Sequence, residues 1–212
     1  MSTEGARGVV HLVDDDEAIR VALTRLFTAA GYTTHAYGSA GAFLIATGTE
    51  PDGCLVLDLH MPGPDGLALH DALRQRGWTV PTVFLTGRGD IPSSVRALKA
   101  GASDFLTKPV RSEVLLEAVR AALEADAPRR AARERRREAR TRFGSLDARE
   151  RTVLRRVVEG ALTKQIAWEL GVSERTVKAD RASVMRKMGA TTLPELVRLS
   201  EGLSPDGEPS SG

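Results

Sequence analysis

Five polar side chains follow apolar runs of the chain, at positions where the strands of a sheet would end. They are Asp14, Asp15, Asp58, Thr86 and Lys108. In an open parallel sheet these positions meet at one edge, beyond the carboxyl ends of the strands. Carboxylates at such short range repel one another unless a cation neutralises them, and an all-oxygen cluster suits a hard ion such as Mg²⁺. The pattern therefore predicts a site for phosphoryl chemistry.

The elements that must position this site alternate along residues 1–123. The predicted strands cover residues 9–13, 32–36, 54–58, 81–85 and 104–106. The predicted helices begin near residues 19, 39, 66, 92 and 112, and the fourth of them covers 92–100. Five strands that alternate with five helices predict a parallel sheet with helices on both faces.

The charge of the chain is distributed unevenly, although the net charge of the 212 residues is only +2. Residues 1–123 hold 11 basic and 14 acidic side chains, whereas 124–144 hold 8 and 4. Residues 145–203 hold 11 and 8. The front is therefore mildly acidic and the back basic, which favours a polyanionic partner for the back half. We predict a domain at 1–123 and a smaller one at 145–203.

Cysteine content and hydropathy indicate the compartment. The single cysteine, Cys54, lies in a predicted buried strand, so no internal disulfide can form and a core role is expected for it. The chain has neither the start of a signal peptide nor an apolar run near the roughly 20 residues of a membrane span. We expect a cytoplasmic protein with no membrane partner.

Two segments show the composition of connecting or terminal chain. Residues 124–144 contain eight arginines and no large apolar residue before Phe143. Such a run cannot bury a face, so we predict an Arg-rich linker, either helical or disordered. Its arginines would contact DNA phosphates or acidic partners, or form a solvated charge run. The tail at 204–212 is predicted to be disordered.

Residues 145–203 are predicted to be wholly helical. Asp147 and Glu150 have the spacing of a capping box at the start of the first helix. Two further helices, at 163–170 and 174–188, are joined by Gly171-Val172-Ser173, and a fourth helix follows at 193–203. A short turn with glycine between two helices is typical of the helix-turn-helix.

The helix at 174–188 has two distinct faces. Val177, Val184 and Met188 fall on one side at about 100° per residue. The opposite side carries cations that flank two alanines, namely Arg175, Lys178, Ala179, Ala182 and Arg186. Small residues between cations allow a helix to lie close to a DNA groove while Arg and Lys reach bases and phosphates. An ordinary amphipathic helix with a solvated basic face has the same spacing.

The motifs of both halves resemble those of one family. The front motifs are Val13-Asp14-Asp15, Leu57-Asp58-Leu59-His60-Met61-Pro62, Leu85-Thr86-Gly87 and Lys108-Pro109. The back motifs are Arg149-Glu150, Ile166-Ala167 and Ser173-Glu174-Arg175-Thr176-Val177-Lys178. In this order and spacing they resemble a response regulator of the NarL/FixJ family. The resemblance implies a flavodoxin-like receiver domain with a five-stranded parallel sheet, followed by a four-helix, LuxR-type helix-turn-helix domain.

The resemblance also implies roles for the front residues. Asp58 would accept a phosphoryl group from a sensor histidine kinase and thereby serve a two-component phosphorelay. Mg²⁺ or Mn²⁺ would be held by Asp14, Asp15, Asp58 and the backbone carbonyl of His60, while Lys108 would pair with the acyl phosphate. A cis peptide is implied at Lys108-Pro109. The chain would not be an enzyme beyond the Mg-dependent phosphorylation and dephosphorylation of its own Asp58.

A switch and two interaction surfaces follow from the same resemblance. Thr86 would bind the phosphoryl group and Phe105 would follow it inward. A homodimer would then form through Val95, Leu98, Lys99 and Phe105. Double-stranded DNA would be bound by Arg175, Thr176, Lys178, Ala179, Arg181, Ala182 and Arg186. RNA polymerase is a further expected partner in transcription regulation.

Three residues bear on how this chain differs from relatives. Asp180 stands where many relatives have His, and the helical wheel places it off the cationic side, so we expect an effect on packing or nearby phosphates. His60 and Arg88 each lie two residues beyond a site residue. Their side chains would tune the lifetime of the acyl phosphate, or only the backbone of His60 would matter.

Three other functions are compatible with parts of the pattern. A haloacid-dehalogenase-like phosphatase would use Asp14 as nucleophile and Asp16 as its partner, but Ala18 replaces the Thr or Val of that family and no acidic strand end follows Lys108. A flavin-binding module would need Gly, Ser and Thr donors in the acidic first loop. A protein-binding adaptor remains the third alternative, and the cationic helix face argues against it.

Overall fold

The computed structural model describes residues 7–87, 101–201 and 203. The contacts between Cα atoms divide the chain into two compact units, Met1–Pro128 and Arg129–Gly212. This division falls within the segment predicted to be a linker. The predicted bounds at 123 and 145 thus remain a proposal, and each unit is described by itself.

The first unit is built on a five-stranded sheet. Its strands are β1 (Val9–Val13), β2 (Thr33–Tyr37), β3 (Cys54–Asp58), β4 (Thr82–Thr86) and β5 (Asp104–Thr107). All pairs of neighbouring strands are parallel, in the order β2-β1-β3-β4-β5. The predicted parallel sheet is therefore confirmed. The order changes direction between β1 and β3, and ligands of open α/β sheets bind at such a switch point.

Helices cover both faces of this sheet. They are α1 (Glu17–Ala29), α2 (Ala40–Thr47), α3 (Gly66–Gln75) and the beginning of α4 (Ser112–Gly144). Within β3, Leu55 and Leu57 belong to one buried cluster and Cys54 and Val56 to the other, because successive side chains point to opposite faces. Every residue of β3 is buried. The helix predicted at 92–100 lies outside the described residues.

Cys54 has the core position that its sequence context predicts. Its side chain is fully buried in the strand, and this burial raises the pKa of the thiol to about 12. The reactive thiolate form is therefore disfavoured. Among the described residues, no helix has the length and apolar character needed to cross a membrane.

The second unit is helical. It contains α5 (Ala148–Val158), α6 (Thr163–Leu170), α7 (Glu174–Met188) and α8 (Leu193–Ser200), packed around one apolar cluster. The capping box predicted at the start of α5 is present: Asp147 Oδ1 accepts from the amide of Glu150, whose carboxylate accepts from the amide of Asp147. Gly171 has φ +65° after α6, a conformation that favours glycine. The chain thereby turns into α7, which Ser173 caps.

The segment predicted to be a linker is helical, but the prediction that it cannot bury a face was wrong. Instead of leaving all faces in water, the last turns of α4 bury Ala139, which is 6% exposed. Phe143 packs against the apolar cluster of the second unit, and Arg142 donates a hydrogen bond to the carbonyl of Met188. A buried alanine, one phenylalanine and an arginine that donates to a backbone carbonyl thus attach a helix end that has few large apolar residues. The tail predicted to be disordered, at 204–212, lies outside the described residues.

Candidate functional site

The three predicted carboxylates meet at the edge of the sheet. Pairing of Val13 with Leu57 aligns the ends of β1 and β3, so that Asp14, Asp15 and Asp58 project from neighbouring strands. One oxygen of each carboxylate lies within 4.8 Å of the others. Asp14 and Asp58 are buried, at 1% and 5% exposure, whereas Asp15 is exposed. Oxygen ligands in this arrangement fit a hard divalent cation better than a soft metal.

Lys108 joins the two buried carboxylates. Its Nζ lies 2.7 Å from Asp14 Oδ2 and 2.7 Å from Asp58 Oδ1. Burial lowers the pKa of the Lys108 ammonium, but the hydrogen bonds and charges of the two carboxylates outweigh this effect and the pKa is raised above its usual value. Three carboxylates and one ammonium leave a formal charge of −2 at the cluster. A divalent cation would neutralise that charge.

The acidity of Asp58 reflects two opposing effects. Burial raises the pKa of its carboxyl, and the hydrogen bond and charge of Lys108 lower it. The charges of Asp14 and Asp15 raise it further. The net result is a pKa above the usual value for aspartate. Lys108 therefore favours the ionised form, which is the nucleophile in attack on phosphorus.

Thr86 is brought beside Lys108 by the pairing of the last two strands. Thr86 pairs with Thr107, and the amide of Lys108 donates to the carbonyl of Thr86 at 2.6 Å. The side chain of Thr86 is fully buried, and among the described residues its hydroxyl oxygen has no hydrogen-bond partner. An unpaired buried hydroxyl carries a free-energy cost, so this oxygen is available to a ligand. The Lys108–Pro109 peptide is cis, which confirms that prediction.

Two structural supports of the site were missed by sequence reasoning. Arg20 Nη1 donates to the carbonyl oxygens of Asp14 and Asp15, both at 2.7 Å, and so fixes the acidic loop. Gly66 lies so close to the backbone of Asp58 that a Cβ there would be 2.4 Å from the Asp58 carbonyl oxygen. The only sequence signals were a cation one turn into α1 and a glycine at the start of α3.

Asp16, the third acid of the first loop, has a different role from its neighbours. Its side chain accepts hydrogen bonds from the amides of Ala18 and Ile19 and caps α1. Asp14 Oδ1 in turn accepts from the amide of Asp16. A phosphatase would need Asp16 as a second reacting carboxylate, whereas here it is engaged in capping.

The remaining predicted residues of the front domain are only partly described. His60 follows β3 by two residues and is exposed. Phe105 in β5 is half-buried, with its ring 6.3 Å from that of Phe84. Arg88 and three residues of the predicted dimer surface, Val95, Leu98 and Lys99, lie outside the described residues.

The faces predicted for α7 are present in the second unit. Val177, Val184 and Met188 are buried, at 1% exposure or less. The exposed side includes the residues predicted for it, Arg175, Lys178, Ala179, Ala182 and Arg186, and Glu174 at the start of the helix is exposed as well. The other two predicted DNA contacts, Thr176 and Arg181, are half-buried. Arg181 lines a small apolar cavity with Val153 and Leu196, so its side chain is shared between packing and solvent.

Comparison with known families decides the identity of both units. Residues 10–120 match the response regulator receiver domain, and residues 144–200 match the bacterial regulatory proteins of the luxR family. The chain belongs to the NarL/FixJ family of response regulators. Individual relatives agree along nearly the whole length. Nodulation protein W of Bradyrhizobium diazoefficiens is 44% identical over 197 residues, which cover 93% of this chain and 87% of the relative.

One further relative and two solved structures support the same assignment. Transcriptional regulatory protein FixJ of Azorhizobium caulinodans is 44% identical over 90% of each chain. Among solved structures, that of response regulator StyR is 42% identical, with a TM-score of 0.69, and the alignment covers 91% of this chain and 98% of that one. Full-length FixJ from B. japonicum is 36% identical with a TM-score of 0.57, over 93% and 97% of the two chains.

The family assignment selects among the functions that the sequence left open. The protein is a two-component transcriptional response regulator, and the phosphatase, the flavin-binding module and the adaptor are not favoured. Its receiver domain implies a histidine kinase as partner, and its luxR-type domain implies DNA binding. Receiver domains bind Mg²⁺ through acidic residues, and this response regulator has such a cluster at the sheet edge.

Proposed function

We propose that this response regulator holds its signal as an acyl phosphate on Asp58 and reads DNA with α7. The observation that carries the proposal is the position of Lys108 Nζ, 2.7 Å from both Asp14 and Asp58. A lysine in contact with the acceptor carboxylate can keep it ionised before transfer and pair with the phosphoryl oxygens afterwards.

The reaction follows from the chemistry of these groups. An Asp58 oxygen attacks the phosphorus of the kinase phosphohistidine, forming an O–P bond while the N–P bond breaks and the imidazole nitrogen leaves with the electron pair. Asp14 and Asp15, with Asp58 and the carbonyl of His60, would hold Mg²⁺ or Mn²⁺. Such an ion supplies neutralisation of the phosphoryl oxygens. Beyond this transfer and the hydrolysis of its own acyl phosphate, the chain catalyses no reaction.

Thr86 and Phe105 form the switch in this proposal. The buried hydroxyl of Thr86, which has no hydrogen-bond partner among the described residues, would donate to a phosphoryl oxygen. Phe105, which is only half-buried, would then move further into the core. The two residues belong to the neighbouring strands β4 and β5. The added charge at Asp58 would thereby favour a second conformation of the surface next to these strands.

The output is a dimer on DNA. Val95, Leu98, Lys99 and Phe105 are proposed to form the phosphorylation-dependent dimer surface, which brings two copies of α7 to a near-palindromic site. The exposed cations and alanines of α7 support its role in reading the major groove. RNA polymerase is then a partner at the regulated promoter. His60 and Arg88 would adjust how long the acyl phosphate survives.

Phosphorylation of Asp58 is tested by mapping the modified residue. The full chain is incubated with acetyl phosphate and Mg²⁺, reduced with borohydride, which converts an aspartyl phosphate to homoserine, and sequenced by mass spectrometry. We expect homoserine at position 58 of the wild type and no homoserine in Asp58→Asn. Asp71→Asn, which changes an exposed acid of α3, should behave as the wild type. Homoserine that forms to the same extent at another aspartate in Asp58→Asn would overturn the assignment.

A further inference from the structure

One side of α7 forms a polar seam with the beginning of α5. Asp180, Ser183 and Lys187 lie between the exposed side of α7 and its apolar side, and they face two consecutive residues, Arg149 and Glu150. Spacings of three, four and seven residues place these side chains in one row. The seam is thus the polar contact between α5 and the proposed DNA-reading helix.

At one end of the seam, Arg149 forms an ion pair with Asp180. Arg149 Nη2 donates to Asp180 Oδ1 at 3.0 Å, and Arg149 Nε lies 2.9 Å from Asp180 Oδ2. The second contact is an ion pair and does not count as a hydrogen bond. Asp180 is 7% exposed, whereas half of the Arg149 side chain remains in solvent. The same guanidinium thus contacts both carboxylate oxygens, one through a hydrogen bond and the other through an ion pair.

At the other end, Glu150 holds the next turns of α7. Its Oε1 accepts from the hydroxyl of Ser183 at 2.8 Å, and its Oε2 lies 2.6 Å from Lys187 Nζ. Two separate points of attachment along one helix restrict its rotation about its own axis. Rotation decides which side chains face a DNA groove, so the seam sets the direction of Lys178 and its neighbours.

The charge of Asp180 gives Arg149 a second task. A buried carboxylate on a helix that approaches phosphates would repel the DNA backbone and would also lack compensation for its lost hydration. Among the contacts of the described residues, Arg149 supplies the cation for this carboxylate. Asp180 stands off the exposed cationic side, so the pair is distinct from the residues proposed to read bases.

We propose that Arg149 is a positioning residue for DNA recognition, which acts through Asp180 to fix the rotation of α7 and to cancel a negative charge beside the phosphates. This inference rests on the proposed reading of DNA by α7. Arg149→Gln would leave Asp180 charged and unanchored. The double variant Arg149→Gln/Asp180→Asn would replace the ion pair by two neutral amides. Asn keeps the shape of Asp whereas Gln is shorter than Arg, so this variant removes the uncompensated charge without rebuilding the contact.

The test uses the full chain after treatment with acetyl phosphate and Mg²⁺. Its probe is a duplex selected by the wild-type protein from a random-sequence library, and affinity is measured over a range of salt concentrations. We expect Arg149→Gln to weaken binding about tenfold, and the double variant to recover the part of that loss that comes from the uncompensated charge, since contacting residues couple. Asp180→Asn completes the cycle. Arg155→Gln, which removes an exposed charge from the same helix, should change affinity by less than about threefold.

The salt dependence of binding distinguishes a positioning role of Arg149 from a role in folding alone. An uncompensated negative charge near phosphates should make the plot of log affinity against log salt less steep by about 0.9 in Arg149→Gln, and the double variant should restore the wild-type steepness. Equal affinities for Arg149→Gln and Arg155→Gln, or a double variant as weak as Arg149→Gln, would overturn the proposal. Lys178→Ala serves as the reference: if it too leaves affinity unchanged, DNA reading by α7 is what has failed.

Discussion

Lys108 Nζ lies 2.7 Å from Asp58 Oδ1, so the proposed phosphoacceptor already has its cation in place. The same ammonium contacts Asp14 on the other side. Because both carboxylates are buried, removal of the lysine leaves two close negative charges with less compensation. The predictions for the receiver domain follow from this arrangement and from the supports around it.

The first prediction concerns the pH at which Asp58 ionises. Burial raises the pKa of Asp58 and Lys108 lowers it, and only the ionised carboxylate attacks phosphorus. An NMR titration of the Asp58 carboxyl without divalent cations should therefore have its midpoint above the usual value for aspartate, and Lys108→Met should move the midpoint to higher pH. Lys164→Met, an exposed lysine of the helical unit, is the control. A midpoint unaffected by loss of Lys108 would remove the lysine from this role.

The second prediction concerns Gly66, whose added Cβ would lie 2.4 Å from the Asp58 carbonyl oxygen. Because backbone cannot yield as a side chain can, Gly66→Ala should displace Asp58, slow phosphorylation at least about tenfold and cost about 1–3 kcal/mol of unfolding free energy. Gly41→Ala in α2 is the matched control, since a Cβ there meets nothing closer than 3.9 Å. Rates and urea unfolding curves equal for the two variants would show that the close approach has no consequence.

The third prediction separates the stability and the signalling roles of Thr86. Its hydroxyl is buried without a partner among the described residues, so Thr86→Val should leave the unfolding free energy unchanged or raise it by about 1 kcal/mol. The response of DNA affinity to acetyl phosphate should nevertheless be lost, and Thr86→Ser should retain it. Thermal unfolding and DNA titrations measure the two properties. A Val variant that responds normally would exclude the hydroxyl from the switch.

The fourth prediction concerns acid unfolding of the helical unit. The hydrogen bond from Lys187, above all, lowers the pKa of Glu150 to about 2, against an ordinary value of 4.5. A carboxyl with a depressed pKa stabilises fully above its unfolded value and loses that contribution as pH falls toward the folded one. Calorimetry should show that the wild type is more stable to unfolding than Glu150→Gln above about pH 5, and that this difference disappears as the pH falls to about 2. A difference between the two proteins that is constant over this range would contradict the assigned pKa.

The sequence predicted the positions of the site residues, but not all of the contacts that hold them in place. Apolar runs that end in Asp58 and Thr86 specify strand ends, and a parallel sheet gathers those ends at one edge. The bridge from Lys108 to Asp14 depends on strand order and register, which no local pattern encodes. Arg20, Gly66 and Asp180 act through contacts with backbone or with distant side chains, so their residue types alone gave little signal. The burial of Ala139 arose from packing against a separate part of the chain.

Phosphorylation of Asp58 is the proposed control of DNA binding. The most direct test is the affinity and oligomeric state of the full chain on a selected duplex, with and without acetyl phosphate and Mg²⁺, for wild type and Asp58→Asn. We predict dimer formation and at least about tenfold tighter binding, or about 1.4 kcal/mol, for treated wild type, and no response in the variant. Wild-type protein that is modified at Asp58 yet shows neither change would contradict control of DNA binding by this residue.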